Sequence, residues 1–263
     1  MTPKLAGAGI LVTRPVEQSA GLSRLIRDAG GEPILFPAVE IEPLAEEATV
    51  AAVFDRCPNF GLVIFISSNA VRMGMPGIFK HRGLPDGTKV AAIGPGTAAE
   101  LKKSGVRDII SPQQGFDSEA LLGELSNMQL AGGRVLIVRG QGGREYLGEA
   151  LRSRGAMVEY LECYRRVRPN RDMRELAARI ERDGIKACLA TSSNIVENLF
   201  EMAGAAGLSW LRSVPFFVPH ARVAGAAFSR GAQCVFVAGN GDEALVEGVQ
   251  TWLARLRPGH TAS

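Results

Sequence analysis

Short apolar runs alternate along this chain with longer segments whose apolar positions recur at helical spacing. Residues 10–13 read as a strand. Residues 16–29 read as a helix with Leu22, Leu25 and Ile26 on one face and Gly30-Gly31 as its stop. Extended structure resumes at 34–36. The run 62–66 is apolar at every position, as expected of a strand in a parallel sheet covered on both faces. Residues 90–93 form another such run, followed by a helical pattern over 97–103 that ends at Gly105. Residues 135–138, 187–190, 216–218 and 235–237 repeat the theme. Strands and helices in this alternation predict α/β units with right-handed crossovers.

The pattern occurs twice. A shift of 125 residues lays ILVTR at 10–14 over VLIVR at 135–139, and Leu22, Arg27 and Gly30 over Leu147, Arg152 and Gly155. The same shift places Ser67-Ser68-Asn69 on Ser192-Ser193-Asn194, and Val71 on Val196. One residue of slippage then aligns SEALL at 118–122 with DEALV at 242–246. Several segments in order at nearly constant offset indicate duplication, with a period too long for a solenoid. Two doubly wound parallel-sheet lobes follow, in accord with a length of 263 residues.

Composition adds little except in its arginines. Hydrophobic residues are 46% and charged residues 22%, which excludes disordered and collagen-like chains. The net charge of +3 is too small to point to nucleic acid or a membrane. No apolar run approaches the roughly 18 residues of a membrane span, and no signal-peptide pattern opens the chain, so a cytoplasmic protein is expected. Cys57, Cys163, Cys188 and Cys234 lie far apart and read as free thiols. His81, His220 and His260 have no metal-ligand spacing, so no metal is expected. Arginine outnumbers lysine 24 to 6, and 12 of the 24 lie between Arg134 and Arg182. Coding bias and solvated helix faces account for much of this.

In doubly wound sheets, ligands bind beyond the carboxyl ends of the strands, against helix N-termini. Ser67-Ser68-Asn69 and Ser192-Ser193-Asn194 each follow a buried run and precede a helical one. Capping explains one residue of each triplet and leaves other hydroxyls and amides to meet an anion at the positive helix end. Gly94-Pro95-Gly96-Thr97 formally opens a dinucleotide-binding pattern. The acidic residue required further on is missing, and its repeat counterpart is Pro219-His220-Ala221-Arg222, without glycine. No nicotinamide or flavin cofactor is therefore expected, and the turn reads as an anion cradle at Gly94 and Thr97. Arg139-Gly140-Gln141-Gly142-Gly143-Arg144 is a further flexible strand-to-helix turn with a guanidinium at each end. With Arg14 it completes the set of strand-end arginines expected to meet an anion.

These segments together resemble the uroporphyrinogen-III synthase family. The matching elements are ILVTRP at 10–15, GGEPILFPAVEIEP at 30–43, FISSNAV at 65–71, VAAIGPGTAAEL at 90–101, FDSEALL at 116–122, VLIVRG at 135–140, CYRRVRP at 163–169 and TSSNIVENLF at 191–200. The resemblance implies two α/β lobes joined by a two-stranded linker, with the first lobe discontinuous. Residues 1–37 and 169–263 would form one lobe, 43–163 the other, and 36–43 with 163–169 the crossing strands. Glu40 and Glu42 on one crossing segment would then face Arg165, Arg166 and Arg168 on the other, a favourable cross-strand pairing.

The resemblance further implies a cofactor-free monomer acting on hydroxymethylbilane, a linear tetrapyrrole with acetate and propionate on every ring. Loss of its hydroxyl as water leaves an azafulvene cation. Attack by the last ring through a spiro intermediate inverts that ring and gives uroporphyrinogen III. Tyr164 matches a tyrosine that the family carries in its second crossing segment, and a protonated phenol can hydrogen-bond a leaving hydroxyl. A strand aromatic packed against Leu161 or the partner strand is the competing account of Tyr164. Substrate carboxylates would meet Ser67, Ser68, Asn69, Gly94, Thr97, Ser192, Ser193 and Asn194, with Arg14, Arg139, Gly140 and Arg144 nearby and His220 or Arg222 replacing the second Thr97. A two-lobed anion-binding protein without catalysis and a nucleotide-dependent enzyme remain as alternatives. No GxxxxGK[ST] supports the latter.

Overall fold

The alternating runs become two sheets of mostly parallel strands in a computed structural model that describes residues 4–44, 47–56, 59–81, 83–84, 86–171 and 173–256. The chain divides into two compact units, Met1–Glu40 with Val167–Ser263, and Ile41–Arg166.

In chain order the strands and helices are β1 (Gly9–Val12), α1 (Ala20–Asp28), β2 (Glu32–Leu35), β3 (Glu40–Pro43), α2 (Glu47–Arg56), β4 (Leu62–Phe65) and α3 (Ser68–His81). There follow β5 (Lys89–Ala92), α4 (Pro95–Lys103), β6 (Ile109–Ile110), α5 (Ser118–Glu124), β7 (Arg134–Gly140), α6 (Tyr146–Ser153) and β8 (Met157–Val167). The last third holds α7 (Met173–Asp183), β9 (Ile185–Leu189), α8 (Ser193–Ser213), β10 (Phe216–Val218), α9 (Ala221–Ser229), β11 (Val235–Val237) and α10 (Asp242–Leu256). Two helices start elsewhere than the periodicity suggests. Pro15 is followed by a single 3-10 turn, Val16–Gln18, so α1 begins only at Ala20. Helix α4 begins at Pro95, where the fixed φ of proline suits a first helical position.

Among the described residues the first unit carries a sheet of order β11-β10-β9-β1-β2 and the second a sheet of order β3-β8-β7-β4-β5-β6. The 125-residue repeat maps β1, β2, β9, β10 and β11 onto β7, β8, β4, β5 and β6. Corresponding strands therefore occupy the same places in both sheets, although the chain visits them in a different succession. In both, the order reverses at corresponding places: between β1 and β9, and between β7 and β4. The repeated Ser-Ser-Asn turns follow β4 and β9, at these reversal points.

Alternation sets the cores. In β4, Val63 and Phe65 point to one buried cluster, with Val138 and Tyr164, while Leu62 and Ile64 point to another on the opposite face, with Leu121 and Leu147. Strand β8 is paired in parallel to β7 from Arg134↔Met157 to Arg139↔Glu162, a one-residue irregularity then brings Tyr164 opposite Gly140, and β3 lies on its other side. The Leu44 amide donates to the Cys163 carbonyl at 3.0 Å.

The expected charge pairing between 36–43 and 163–169 is met at one position. Arg165 reaches Glu42 at 2.8 Å, but Glu40 is taken by Arg171 at 3.3 Å and Arg168 pairs with Glu201. Arg166 faces Tyr164 instead, because residues two apart on a strand share a face. These ion pairs are largely exposed and contribute little.

Cys163 and Cys188 are buried free thiols and Cys234 is half-buried; Cys57 lies outside the described residues. Burial pushes the Cys163 thiol up to about 12 and that of Cys188 upward as well.

The discontinuous unit is tied together by Thr13, fully buried at the end of β1, whose hydroxyl donates to the Leu189 carbonyl of β9 at 2.6 Å. Replacing Thr13 by the isosteric Val should lower stability by about 1 kcal/mol. Guanidinium unfolding monitored on this unit checks it, and an unchanged midpoint would contradict it.

Candidate active site

Each triplet turn uses its first serine as a helix cap. The Ser67 oxygen accepts from the Ala70 amide at 3.0 Å, and the Ser192 oxygen accepts from the Ile195 amide at 3.3 Å. The other members of the two triplets differ. Asn69 is buried and its oxygen accepts from Arg72 at 3.1 Å, whereas Asn194 is exposed. Ser68 and Ser193 are half-buried. In the second unit a Cβ built on Gly96 would lie 3.7 Å from the Ser68 oxygen, so the turn before α3 adjoins the turn before α4. Gly94 caps α4 without a side chain, and Thr97 is buried in its first turn. In the first unit His220 occupies the cap of α9 without a side-chain cap bond, and both it and Arg222 are exposed.

Tyr164 stands on β8, and its hydroxyl reaches across β7 to the reversal point of the second sheet. Its ring covers the backbone of Gly140 so closely that a Cβ there would sit 2.5 Å from Cζ and 3.0 Å from the hydroxyl. The hydroxyl lies 3.0 Å from the Ser67 oxygen and accepts from the Arg166 guanidinium at 3.3 Å. That guanidinium stands 5.6 Å from the ring centroid. Tyr164 also packs in the same cluster as Leu161, so its ring belongs to the core while its hydroxyl joins a polar group. The repeat counterpart of Tyr164 is Val39, also buried, so the first unit has no phenol at this place.

Two arginines expected to meet an anion are instead committed to carboxylates of their own unit. Arg14 makes a two-pronged pair with Asp242, at 2.8 and 3.2 Å, at the start of α10. Arg139 is 6% exposed and donates to Glu162 at 3.0 and 3.2 Å and to Glu145 at 2.7 Å. Its guanidinium stacks 4.1 Å from the centroid of the Tyr160 ring, whose hydroxyl donates to Glu145 at 2.7 Å. The physical reason is register: Arg139 is paired with Glu162 across β7 and β8, and Tyr160 lies two residues back on the same face. Burial opposes the charge of Arg139, but the two carboxylates outweigh it and raise its pKa. The Tyr160 hydroxyl and Arg139 hold Glu145 below the usual carboxylate range, and burial followed by Glu145 raises the Tyr160 phenol. Arg144, on the same turn, is exposed.

Sequence reasoning therefore located Tyr164, Ser67 and Gly140 without revealing that they touch. It did not single out Arg166 as a partner of the Tyr164 hydroxyl, although its place two residues from Tyr164 on an extended segment was a usable signal. It also missed Glu145, Glu162 and Tyr160 as partners of Arg139, because their register is set only once the sheet forms. Among the described residues, no group of three or more His, Cys, Asp or Glu side chains could hold a metal ion, and no helix is long and apolar enough to cross a membrane.

Comparison with known proteins agrees along most of the chain. The family model described as uroporphyrinogen-III synthase HemD matches residues 20–247. The uroporphyrinogen-III synthase of Salmonella typhimurium is 34% identical over 245 residues, covering 92% of this chain and 99% of the relative. In fold, the chain is similar to a solved mutant uroporphyrinogen III synthase from the extremely thermophilic bacterium Thermus thermophilus, with a TM-score of 0.59 at 20% identity. That match covers 95% of this chain and 100% of the other. The uroporphyrinogen-III synthetase of Helicobacter pylori gives 0.60 at 16% identity, with the same coverage.

The ion cluster around Arg139 has a pH signature. Because the folded chain depresses the Glu145 pKa, its contribution is complete above the ordinary glutamate value and is lost as pH falls through the lower folded value. Glu145→Gln should therefore lower the melting temperature at neutral pH, and the gap should close in acid. A pH-independent gap in thermal melts would contradict this.

Proposed function

The chain belongs to the uroporphyrinogen-III synthase family, and we propose that it works through Tyr164 and the strand-end turns described above. It cyclises hydroxymethylbilane to uroporphyrinogen III, with loss of water and inversion of the last pyrrole ring. By its chemistry this is a hydro-lyase reaction, and it exchanges no electrons with the enzyme. Acid–base help and orientation are sufficient, so the reading requires no cofactor. The chain acts as a cytoplasmic monomer on this small-molecule substrate, without nucleic acid or membrane.

Tyr164 is the proton source for the departing hydroxyl. One observation carries this: its hydroxyl is held 3.0 Å from Ser67 at the carboxyl end of β4, where doubly wound sheets bind ligands. The Arg166 guanidinium, 3.3 Å from the phenol oxygen, stabilises the negative charge that forms when the proton leaves. Substrate carboxylates meet the backbone amide of Ser67 and the amides and hydroxyls of Ser68, Asn69, Gly94, Thr97 and Gly140 in one unit, and of Ser192, Ser193 and Asn194 in the other. Arg144, His220 and Arg222 are exposed at the same kind of turn and supply positive or donor groups. Arg14 and Arg139 hold the turns through their ion pairs and do not carry a substrate carboxylate themselves. Orientation then decides the isomer, since holding the chain for attack by the inverted ring can be worth several kcal/mol.

Purified chain supplied with hydroxymethylbilane should give uroporphyrinogen III faster than the spontaneous closure to the unflipped isomer. Tyr164→Phe should lower that rate by about 100-fold or more while the chain stays folded. Unflipped product alone, at the spontaneous rate, would leave an anion-binding protein without catalysis. Full turnover by the Phe variant would remove Tyr164 from the chemistry.

A further inference from the structure

We propose that Ser67 is the residue that hands the proton to the leaving hydroxyl, with Tyr164 recharging it from behind. This rests on the reading of Tyr164 as the proton source. Tyr164 is 1% exposed, so its hydroxyl is walled off, whereas Ser67 is only half-buried.

The hydrogen bonds fix the direction of the relay. The phenol oxygen accepts from Arg166 and the Ser67 oxygen accepts from the Ala70 amide, so each keeps one lone pair and one proton. A single 3.0 Å bond joins the two oxygens, and either could donate. If Ser67 donated, the Tyr164 proton would be buried without an acceptor. Among the described residues its hydroxyl has only Ser67 and Arg166 as partners, and a guanidinium can only donate. A buried donor left unmade carries its full desolvation penalty. Tyr164 therefore donates to Ser67, and the serine proton is the one free to meet a ligand.

The step balances without a co-reactant. The C–O bond of the hydroxymethyl group breaks as the pyrrole nitrogen lone pair forms the azafulvene cation. Ser67 gives its proton to the departing oxygen, which leaves as water, and takes the Tyr164 proton in turn. The phenolate faces Arg166. When the closing ring later loses its own proton and becomes aromatic again, that proton returns through Ser67 to Tyr164. Ser67 is then the catalytic residue, and Tyr164 acts through it as a positioning residue and proton reserve. The repeat fits this division: Ser192 caps α8 in the same way, but Val39 stands where the phenol would be, so only one of the two turns can be recharged.

Three variants of the full chain, assayed with hydroxymethylbilane and resolved by isomer, separate the possibilities. Asn keeps the helix cap of Ser67 but has no hydroxyl proton, whereas Thr keeps the hydroxyl. Ser67→Asn should lower kcat by about 100-fold or more with KM within a few-fold and the melting temperature nearly unchanged. Ser67→Thr should restore most of the rate. Combining Ser67→Asn with Tyr164→Phe should cost no more than the larger single loss, because groups acting in series do not add. Full kcat in Ser67→Asn beside an impaired Tyr164→Phe would overturn the relay and leave Tyr164 as the direct donor. Additive losses, or equal losses in the Asn and Thr variants, would also overturn it. Full turnover by Tyr164→Phe would remove the underlying reading together with the relay.

Discussion

A phenol ring packed against a glycine is the contact on which the proposed site depends. Real Cβ atoms essentially never approach another heavy atom closer than 3.0 Å, and one on Gly140 would lie 2.5 Å from the Tyr164 ring. The absence of a side chain at the end of β7 lets Tyr164 lie across the strand and bring its hydroxyl to the end of β4. Everything polar at the site follows from that approach. Ser67 is available because it already caps α3, and Arg166 is available because a strand returns every second residue to the same face. The β7–β8 register shifts by one residue between Arg139 and Gly140, and that irregularity sets Gly140 opposite Tyr164 rather than Cys163.

Duplication explains why so specific an arrangement is found in only one of two similar sheets. Strands related by the 125-residue repeat take the same positions in both, and both place a serine-capped helix at the reversal point. Even the arginines ending β1 and β7 have parallel fates, each tied to acidic side chains of its own unit. The departure lies at Val39 and Tyr164, and at Pro15 and Gly140, which correspond under the same shift. One copy keeps an apolar side chain where the other has a phenol resting on glycine. The shared frame repeats the serine-capped turn in each unit, while the phenol stands in one of them.

Much of this was legible in the sequence because the signals were local. Four-residue apolar runs, the Gly30-Gly31 stop and the repeated Ser-Ser-Asn turns each follow from side chains close together in the chain. The fate of the arginines was not legible, because it depends on partners brought in by folding: Asp242 is 228 residues from Arg14, and Glu162 meets Arg139 only through the β7–β8 register. Charge type alone gave no way to separate a guanidinium awaiting an anion from one already neutralised. Tyr164 was legible as a residue but not in its detail. Nothing local to CYRRVRP shows that the ring is buried and the hydroxyl spent on a serine 97 residues away.

Gly140→Ala addresses that contact most directly, since it leaves the side chains of Ser67, Tyr164 and Arg166 chemically unaltered and displaces the phenol. The expected result is a folded chain whose rate of uroporphyrinogen III formation falls by about 100-fold, the loss that follows when a positioned acid is removed. A variant that folds, carries the methyl group and still forms uroporphyrinogen III at the parent rate would contradict the dependence of the site on this contact.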